Sequence, residues 1–201
     1  LCMDKNLSKI KAMDIGIPTP KWDLIKKVSS LDFNAQKLPI IVKPNDQGST
    51  VGLYLVEEID NIKSCIEKSL EFSNKVIIEE FISGQEITVP ILGDSALPIV
   101  EIKPKSGFYD YKSKYTKGLT DYICPANIDK ELSTKLKEFS ILIHRKFGCS
   151  HYSRVDFRID KNSNPYFLEI NTLPGMTDTS LVPISASSIR IPFSSLVKKI
   201  I

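Results

Sequence analysis

Two acidic residues on neighbouring predicted strands are the first candidates for chemistry. Residues 153–158 and 166–171 alternate in type with a period of two, and turn-forming residues separate them, which predicts an antiparallel hairpin. One face of this hairpin is apolar and suited to a core, and the other is charged. With the turn centred between residues 162 and 163, Asp156 lies opposite Glu169 and Arg154 opposite Asn171, while Val155 pairs with Ile170 and Phe157 with Leu168.

The opposed carboxylates indicate a metal site. Like charges about 5 Å apart repel by about 3 kcal/mol at an effective dielectric of about 20, so we expect a positive charge between Asp156 and Glu169. Carboxylate oxygens and the amide oxygen of Asn171 are hard ligands of the kind that bind magnesium beside phosphates. The alternative is that the carboxylates point into water and only keep the strand soluble. The adjacent Pro174-Gly175 turn can offer backbone amides to an anion, which favours the metal site.

Composition indicates a soluble globular protein. The 201 residues are 42% hydrophobic and 25% charged, enough for one large domain or two small ones. A net charge of +3 is too small to indicate nucleic-acid binding, and no run of Lys and Arg alternates with aromatic residues. A few lysines near an anionic substrate would account for this charge.

The cysteines and the apolar pattern favour the cytoplasm. The four cysteines are far apart and form no CxxC pair, so disulfides and a zinc site are not expected. No apolar run is long enough to cross a bilayer, and no signal peptide is recognisable. The chain opens with Leu1-Cys2 instead of methionine, so we expect a fragment or a processed form with further sequence upstream.

The remaining pattern predicts antiparallel sheets with helices packed on them, an α+β fold. The polar segment 103–121 lacks periodicity and is predicted to be a long, functional or disordered loop. Helices are predicted after Asp4 and ending at Gly16, at 60–70, at 129–147 and from Pro192 onward, and strands at 39–43, 53–56, 76–81, 86–92 and 98–102.

Two segments could bind a nucleotide. The loop 43–52 follows a strand and carries Lys43, Gly48, Ser49 and Thr50, whose amides, hydroxyls and ammonium could contact phosphates. It is not a Walker loop, and an ordinary flexible hairpin turn explains it equally well. Three glutamates of the next hairpin could accept hydrogen bonds from an adenine amino group and ribose hydroxyls, or could simply be solvated strand charges; they are Glu79, Glu80 and Glu86.

Two further features could act on a charged substrate. Lys114 and Tyr115 lie in the long loop, where a cation and a phenol suit a lid that excludes water; the alternative is a surface loop. Ser180 and Leu181 follow the Pro-Gly turn. A hydroxyl with adjacent backbone amides can hold a small carboxylate, although a helix cap is the commoner explanation.

The order of these motifs strongly resembles the ATP-grasp fold and, within it, the D-alanine–D-alanine ligases. The resemblance spans nearly the whole chain, and its last two blocks are highly specific. It depends on Met3-Asp4-Lys5, Ile41-Val42-Lys43-Pro44, Gly48-Ser49-Thr50-Val51-Gly52, Phe108-Tyr109-Asp110-Tyr111, Lys114-Tyr115, Arg154-Val155-Asp156, Leu168-Glu169-Ile170-Asn171-Thr172-Leu173-Pro174-Gly175-Met176-Thr177 and Ser180-Leu181-Val182-Pro183.

The resemblance implies two ATP-grasp subdomains, residues 1–86 and 87–201, with ATP between two antiparallel sheets. It also implies a role for each matched residue. Lys5 and Lys43 would contact phosphates beneath the loop at Gly48, Ser49 and Thr50; Glu79, with the backbone of Glu80 and Ile82, would bind adenine, and Glu86 the ribose; Asp156, Glu169 and Asn171 would bind Mg²⁺ or Mn²⁺.

The implied reaction joins two D-alanine molecules through an acyl phosphate, for peptidoglycan precursors of the cell wall. By the same resemblance, the full-length protein could form a homodimer. The implied catalytic set is Arg154 and the Gly175 N–H at the oxyanion, Lys114 at the transferring phosphate, and Ser49 with Tyr115 between the loops, while Ser180 and Leu181 would hold the second substrate's carboxylate.

Two departures from the family qualify this expectation. Relatives carry a preceding domain with a glutamate for the first D-alanine, so this chain alone is expected to ligate poorly. Ser150-His151 replaces an expected small-residue stretch, and we assign His151 no role. The alternatives are a relative that joins D-alanine to D-lactate or D-serine, which Tyr115 disfavours, and a non-catalytic nucleotide-binding module, which retention of the charged cluster disfavours.

Overall fold

A computed structural model of the chain describes residues 1–28, 32, 36–105, 116, 118–177 and 179–201. Lys114 and Tyr115 lie outside the described residues. The helices are α1 (Lys5–Asp14), α2 (Ile59–Leu70), α3 (Lys130–Lys146), α4 (Leu181–Ser188) and α5 (Phe193–Ile200). The strands are β1 (Trp22–Ile25), β2 (Ile40–Pro44), β3 (Tyr54–Val56), β4 (Val76–Glu80), β5 (Gln85–Leu92), β6 (Ser95–Ala96), β7 (Val100–Pro104), β8 (Thr120–Ile123), β9 (Tyr152–Ile159) and β10 (Pro165–Asn171).

The first sheet has the antiparallel order β1-β4-β2-β3. Its strands alternate between two environments, as side chains in a strand must. Val42 and Ile78 pack with Ile62 and Ile66 of α2 in one core. Side chains of the opposite face, such as Lys43, line a cleft.

The second sheet has the antiparallel order β10-β9-β5-β7-β8, with β6 paired to β5. Its apolar face is covered by α3, whose Leu136 and Ile143 are fully buried in the core with Val155 and Phe157. Helix α1 also packs on this core through Ala12, although it precedes the first sheet in the chain. The chain passes from the first sheet to the second between β4 and β5, near the expected boundary at residue 86. Because α1 packs on the second core although it lies before that boundary, the division into 1–86 and 87–201 stays a prediction.

The charged hairpin forms with one change in register. Asp156 pairs with Glu169, Val155 with Ile170 and Arg154 with Asn171, which confirms these three predicted pairs. The predicted pair of Phe157 with Leu168 is wrong: Phe157 lies opposite Phe167 because of an irregularity between Phe167 and Glu169. The extra residue turns Leu168 out of the core and into the cleft.

Most predicted helices and strands are confirmed within two residues, and the errors have physical causes. The strand expected at 98–102 lies at Val100–Pro104, and the expected loop 103–121 begins and ends inside β7 and β8. Strand β1 was missed because its four residues are too few to establish a period. Helix α4 was missed because it is buried on several sides and carries Pro183 in its first turn, so it shows no amphipathic stripe.

None of the helices in the described part of the chain has the length and apolar character needed to span a bilayer.

Substitution of Gly84 tests the junction between the sheets. Gly84 has φ +139°, and a Cβ there would lie 2.0 Å from the carbonyl oxygen of Ile159. We expect Gly84→Ala to lower the free energy of unfolding by about 3 kcal/mol. Gly93→Ala is the matched control, since φ is +57° but no atom lies within 4 Å, and should cost about 1 kcal/mol. Equal losses of stability in urea unfolding would contradict this account of Gly84.

Candidate functional site

A cleft lies between the two sheets and is lined by residues of both. Apolar side chains from both sheets form part of its wall, including Ile41, Phe81, Ile102 and Leu168. Charged side chains form the rest. The predicted site residues that line the cleft are Lys5, Lys43, Gly48, Ser49, Thr50, Glu79, Glu80, Ile82, Glu86, Arg154, Asp156, Glu169 and Leu181.

Three predicted site residues are described but do not line this cleft: Asn171, Gly175 and Ser180. The amide oxygen of Asn171 accepts a hydrogen bond from the Leu173 N–H at 3.0 Å. Gly175 is close to Ser180, since a Cβ on Gly175 would lie 2.9 Å from the Ser180 hydroxyl oxygen. Ser180 stands at the N-cap of α4 but makes no side-chain cap hydrogen bond. Its hydroxyl instead accepts from the Thr177 N–H at 3.0 Å.

The opposed carboxylates are each held by a cation of the chain. The Nε and Nη2 atoms of Arg154 donate to the two oxygens of Asp156 at 2.9 and 2.7 Å, and Thr88 donates to the same carboxylate at 2.5 Å. Nζ of Lys5 lies 3.2 Å from Glu169. Asp156 is only 8% exposed, so it is not a solvated surface charge. The expected positive charge is therefore provided by Arg154 and Lys5 in this structure.

A second charged group joins α1 to the first sheet. Nζ of Lys9 lies 2.7 Å from Oε2 of Glu79, and Lys43 pairs with Oε1. Lys9 also donates to Thr19 at 2.7 Å, and Thr19 donates to the carbonyl of Phe167 on β10 at 2.8 Å. All three charged side chains are buried. This group links both sheets and fixes Lys43 at the cleft.

The two oxygens of Glu79 differ. Within the described part of the chain, no donor makes a regular hydrogen bond to Oε2, although the Lys9 ammonium is close to it. The contact between Nζ of Lys9 and Oε2, at 2.7 Å, is a buried ion pair. Burial alone would raise the pKa of Glu79, but the ion pairs with Lys43 and Lys9 outweigh it and lower the pKa from 4.5 to about 2. Glu79 is therefore a buried, ionised acceptor rather than a solvated strand charge.

The loop that precedes β3 has an unusual backbone. Ser49 and Thr50 both have positive φ, 55° and 59°, a conformation that costs energy in residues other than glycine. Thr50 donates to the carbonyl of Ser49 at 2.6 Å. Gln47 anchors the loop by donating to the carbonyl of Phe72 at 3.0 Å. The loop thus forms a turn beside Lys43, and its role toward phosphates stays a prediction.

Sequence reasoning missed two charged residues of this region. Arg158 lines the cleft and follows Arg154 and Asp156 at a spacing of two, so strand alternation would have found it. Lys9 follows Lys5 by four residues on α1, which places both on one face of the helix. Neither Lys9 nor Arg158 belongs to one of the sequence motifs, so no motif gave a specific reason to select them.

The sequence model of the family described as "D-ala D-ala ligase C-terminus" matches residues 12–201. The chain belongs to this family.

Curated relatives give the same assignment. The chain is 41% identical to a D-alanine–D-alanine ligase of Methylacidiphilum infernorum over 98% of its own length and 64% of the relative's. It is 42% identical to D-alanine–D-alanine ligase B of Clostridium perfringens, over 100% of this chain and 67% of the relative. The chain therefore spans about two thirds of the length of these family members.

Solved structures of family members show the ATP-grasp fold expected from the sequence. A Bacillus anthracis D-alanine–D-alanine ligase complexed with ATP is 37% identical with a TM-score of 0.84, covering 100% of this chain and 65% of that one. The VanG D-Ala:D-Ser ligase of Enterococcus faecalis is 33% identical with a TM-score of 0.85, and the match covers 100% of this chain and 61% of that one.

The pH dependence of stability tests the buried state of Lys9. Burial lowers its pKa from 10.5 to about 8, against the attraction of Glu79. The folded protein thus binds this proton more weakly than the unfolded chain, and stability rises with pH between these two values. We expect the free energy of unfolding of the wild type to gain about 3 kcal/mol relative to Lys9→Met across this window.

The matched control is Lys63→Met, which removes a lysine whose side chain is 65% exposed and pairs with Glu67. Its stability should differ from the wild type by a constant amount over the same pH range. Urea unfolding at several pH values measures all three proteins. A constant difference between the wild type and Lys9→Met would contradict the assignment.

Proposed function

We propose that the protein is a D-alanine–D-alanine ligase that joins two D-alanine molecules at the expense of ATP, for peptidoglycan precursors in the cytoplasm. The observation that carries the proposal is the cleft between the sheets, which is lined by two lysines, two arginines and an opposed pair of carboxylates. Membership of the family and about 40% identity to named ligases support it.

The cleft suits a nucleotide. Its apolar side chains can enclose a base, and the ionised Glu79 carboxylate, which lines the cleft, is the proposed acceptor of an adenine amino hydrogen. In this proposal the backbone of Glu80 and Ile82 borders the base, and Glu86 accepts from the ribose hydroxyls. Lys5 and Lys43 contact the phosphates, which the turn at Gly48, Ser49 and Thr50 covers.

The carboxylate pair suits a divalent cation. Asp156 and Glu169 supply hard oxygens. Oδ1 of Asp156 accepts from both Arg154 and Thr88, but Oδ2, which accepts from Arg154, has a second lone pair that a cation could use. No three His, Cys, Asp or Glu side chains of the described residues form a metal-binding group, so further ligands would come from Asn171, water or phosphate oxygens. When bound, Mg²⁺ or Mn²⁺ would neutralise charge on the phosphates.

The chemistry of the proposal needs alignment and charge neutralisation. The carboxylate of one D-alanine attacks the γ-phosphorus of ATP to give an acyl phosphate and ADP. The neutral amine of the second D-alanine then attacks the acyl carbon, and the amide bond forms as phosphate leaves and the amine loses a proton. Arg154 and the Gly175 N–H stabilise the oxyanion. By the resemblance to the family, Lys114 would balance charge on the phosphate, and Ser49 and Tyr115 would take part in hydrogen bonds between the two loops.

The second substrate's carboxylate is assigned to the start of α4. Ser180 precedes the helix and Leu181 opens it, and the backbone N–H groups of a helix N-terminus attract anions. Similarity to a D-Ala:D-Ser ligase at 33% identity makes D-serine the alternative acceptor.

A phosphate-release assay on the protein in its natural full length tests the function. With ATP and Mg²⁺, we expect release that depends on D-alanine alone. Release that requires D-serine or D-lactate as a second substrate would instead support the alternative ligases. If no pair of D-amino acids or D-lactate elicits release, the protein is a non-catalytic nucleotide-binding module and the proposal fails.

Replacement of Glu169 by Gln tests the metal role. We expect turnover to fall at least about tenfold and the Mg²⁺ concentration for half-maximal activity to rise, because an amide is neutral and binds the cation more weakly. Glu67→Gln is the control, since that side chain is 55% exposed and paired with Lys63. Circular dichroism should show both variants folded. An unchanged Mg²⁺ dependence in Glu169→Gln would rule out the assigned role.

A further inference from the structure

Arg158 is a charged residue of the cleft that the proposed reaction leaves without a role. It lies on the cleft-facing side of β9 and is only 9% exposed. Its Nε donates to the carbonyl of Ile82 at 2.9 Å, and Nη1 donates to Oε2 of Glu86 at 3.2 Å. Its Cζ lies 5.1 Å from the ring centroid of Phe81. A guanidinium with three separate contacts is held in one orientation.

The three partners of Arg158 belong to one short segment. Residues 81–86 leave β4 of the first sheet and enter β5 of the second, so they form the connection between the sheets at the edge of the cleft. The next residue of β9, Ile159, contacts this segment at Gly84. Arg158 and Ile159, two consecutive residues of β9, therefore both contact the segment 81–86.

The pairing of Arg158 with Glu86 affects what Glu86 can bind. The ion pair restricts rotation of the Glu86 side chain and neutralises its charge, so the carboxylate repels a polyphosphate less. Each carboxylate oxygen has two lone pairs, so Glu86 can accept hydroxyl hydrogens while Arg158 stays bound.

We propose that Arg158 is a positioning residue that orients Glu86 toward the hydroxyls of a nucleotide ribose and thereby sets the preference for ribonucleotides. This inference rests on the proposed binding of ATP in the cleft. Arg158 acts through Glu86 and the connecting segment rather than by contact with the reacting atoms.

The test compares the affinities for ATP and 2′-deoxy-ATP, measured by calorimetry on the protein in its natural full length. We expect the wild type to bind ATP about tenfold more tightly than 2′-deoxy-ATP, the value of one hydrogen bond to a charged group. In Arg158→Met the ratio should fall to about twofold. General damage to the fold would weaken both nucleotides equally and leave the ratio unchanged.

Two further variants sharpen the test. Arg145→Met removes an exposed arginine that pairs with Asp94 and should keep the wild-type ratio. Glu86→Gln combined with Arg158→Met should lower the ratio no further than either change alone, because both act on one hydrogen bond.

The outcomes separate this inference from the function on which it rests. If the wild type does not bind ATP, or binds both nucleotides equally, the ribose assignment fails and the inference fails with it. If the wild type prefers ATP and Arg158→Met keeps that preference, only the role of Arg158 is overturned. If circular dichroism shows Arg158→Met unfolded, the same ratio of affinities is measured on Arg158→Lys instead. It keeps the charge but lacks the planar fork that binds two acceptors, so a full wild-type ratio in this variant overturns the role.

Discussion

Two carboxylates held opposite each other on paired strands are the constraint on which the cleft depends. The register of β9 and β10 brings Asp156 and Glu169 together, and the burial of Asp156 removes water as a means of screening them. The two carboxylates therefore need positively charged groups close to them. Arg154 and Lys5 provide these groups in this structure, from the same strand and from α1. The proposed function uses both kinds of charge, the carboxylates for a divalent metal and the cations for a polyphosphate.

The same principle operates on the opposite wall of the cleft. Glu79 is buried between Lys9 and Lys43, so removal of either lysine would leave the buried carboxylate with one compensating cation instead of two, which is destabilising. Lys9 reaches β10 through Thr19. The charges of the two walls therefore belong to one connected structure, in which α1 joins the two sheets.

Much of this arrangement could be predicted from the sequence because alternation in strands is a local property. The period of two gave the pairing of Asp156 with Glu169 and the apolar face behind them. It failed at Leu168, because an extra residue between Phe167 and Glu169 shifts the register of the residues on the turn side, and no sequence signal marks it. The partners of Glu79 were not predictable either, because Lys9 lies on a helix seventy residues earlier in the chain. Contacts at that distance depend on how the sheets pack.

A crystal of the protein grown with Mn²⁺ and a non-hydrolysable ATP analogue tests the central claim most directly. Anomalous scattering would locate the metal independently of the nucleotide. The account predicts a single peak that contacts both the Asp156 and Glu169 carboxylates, with the phosphates directed toward Lys5 and Lys43. A nucleotide bound without metal at these carboxylates, or a metal bound elsewhere in the cleft, would contradict it.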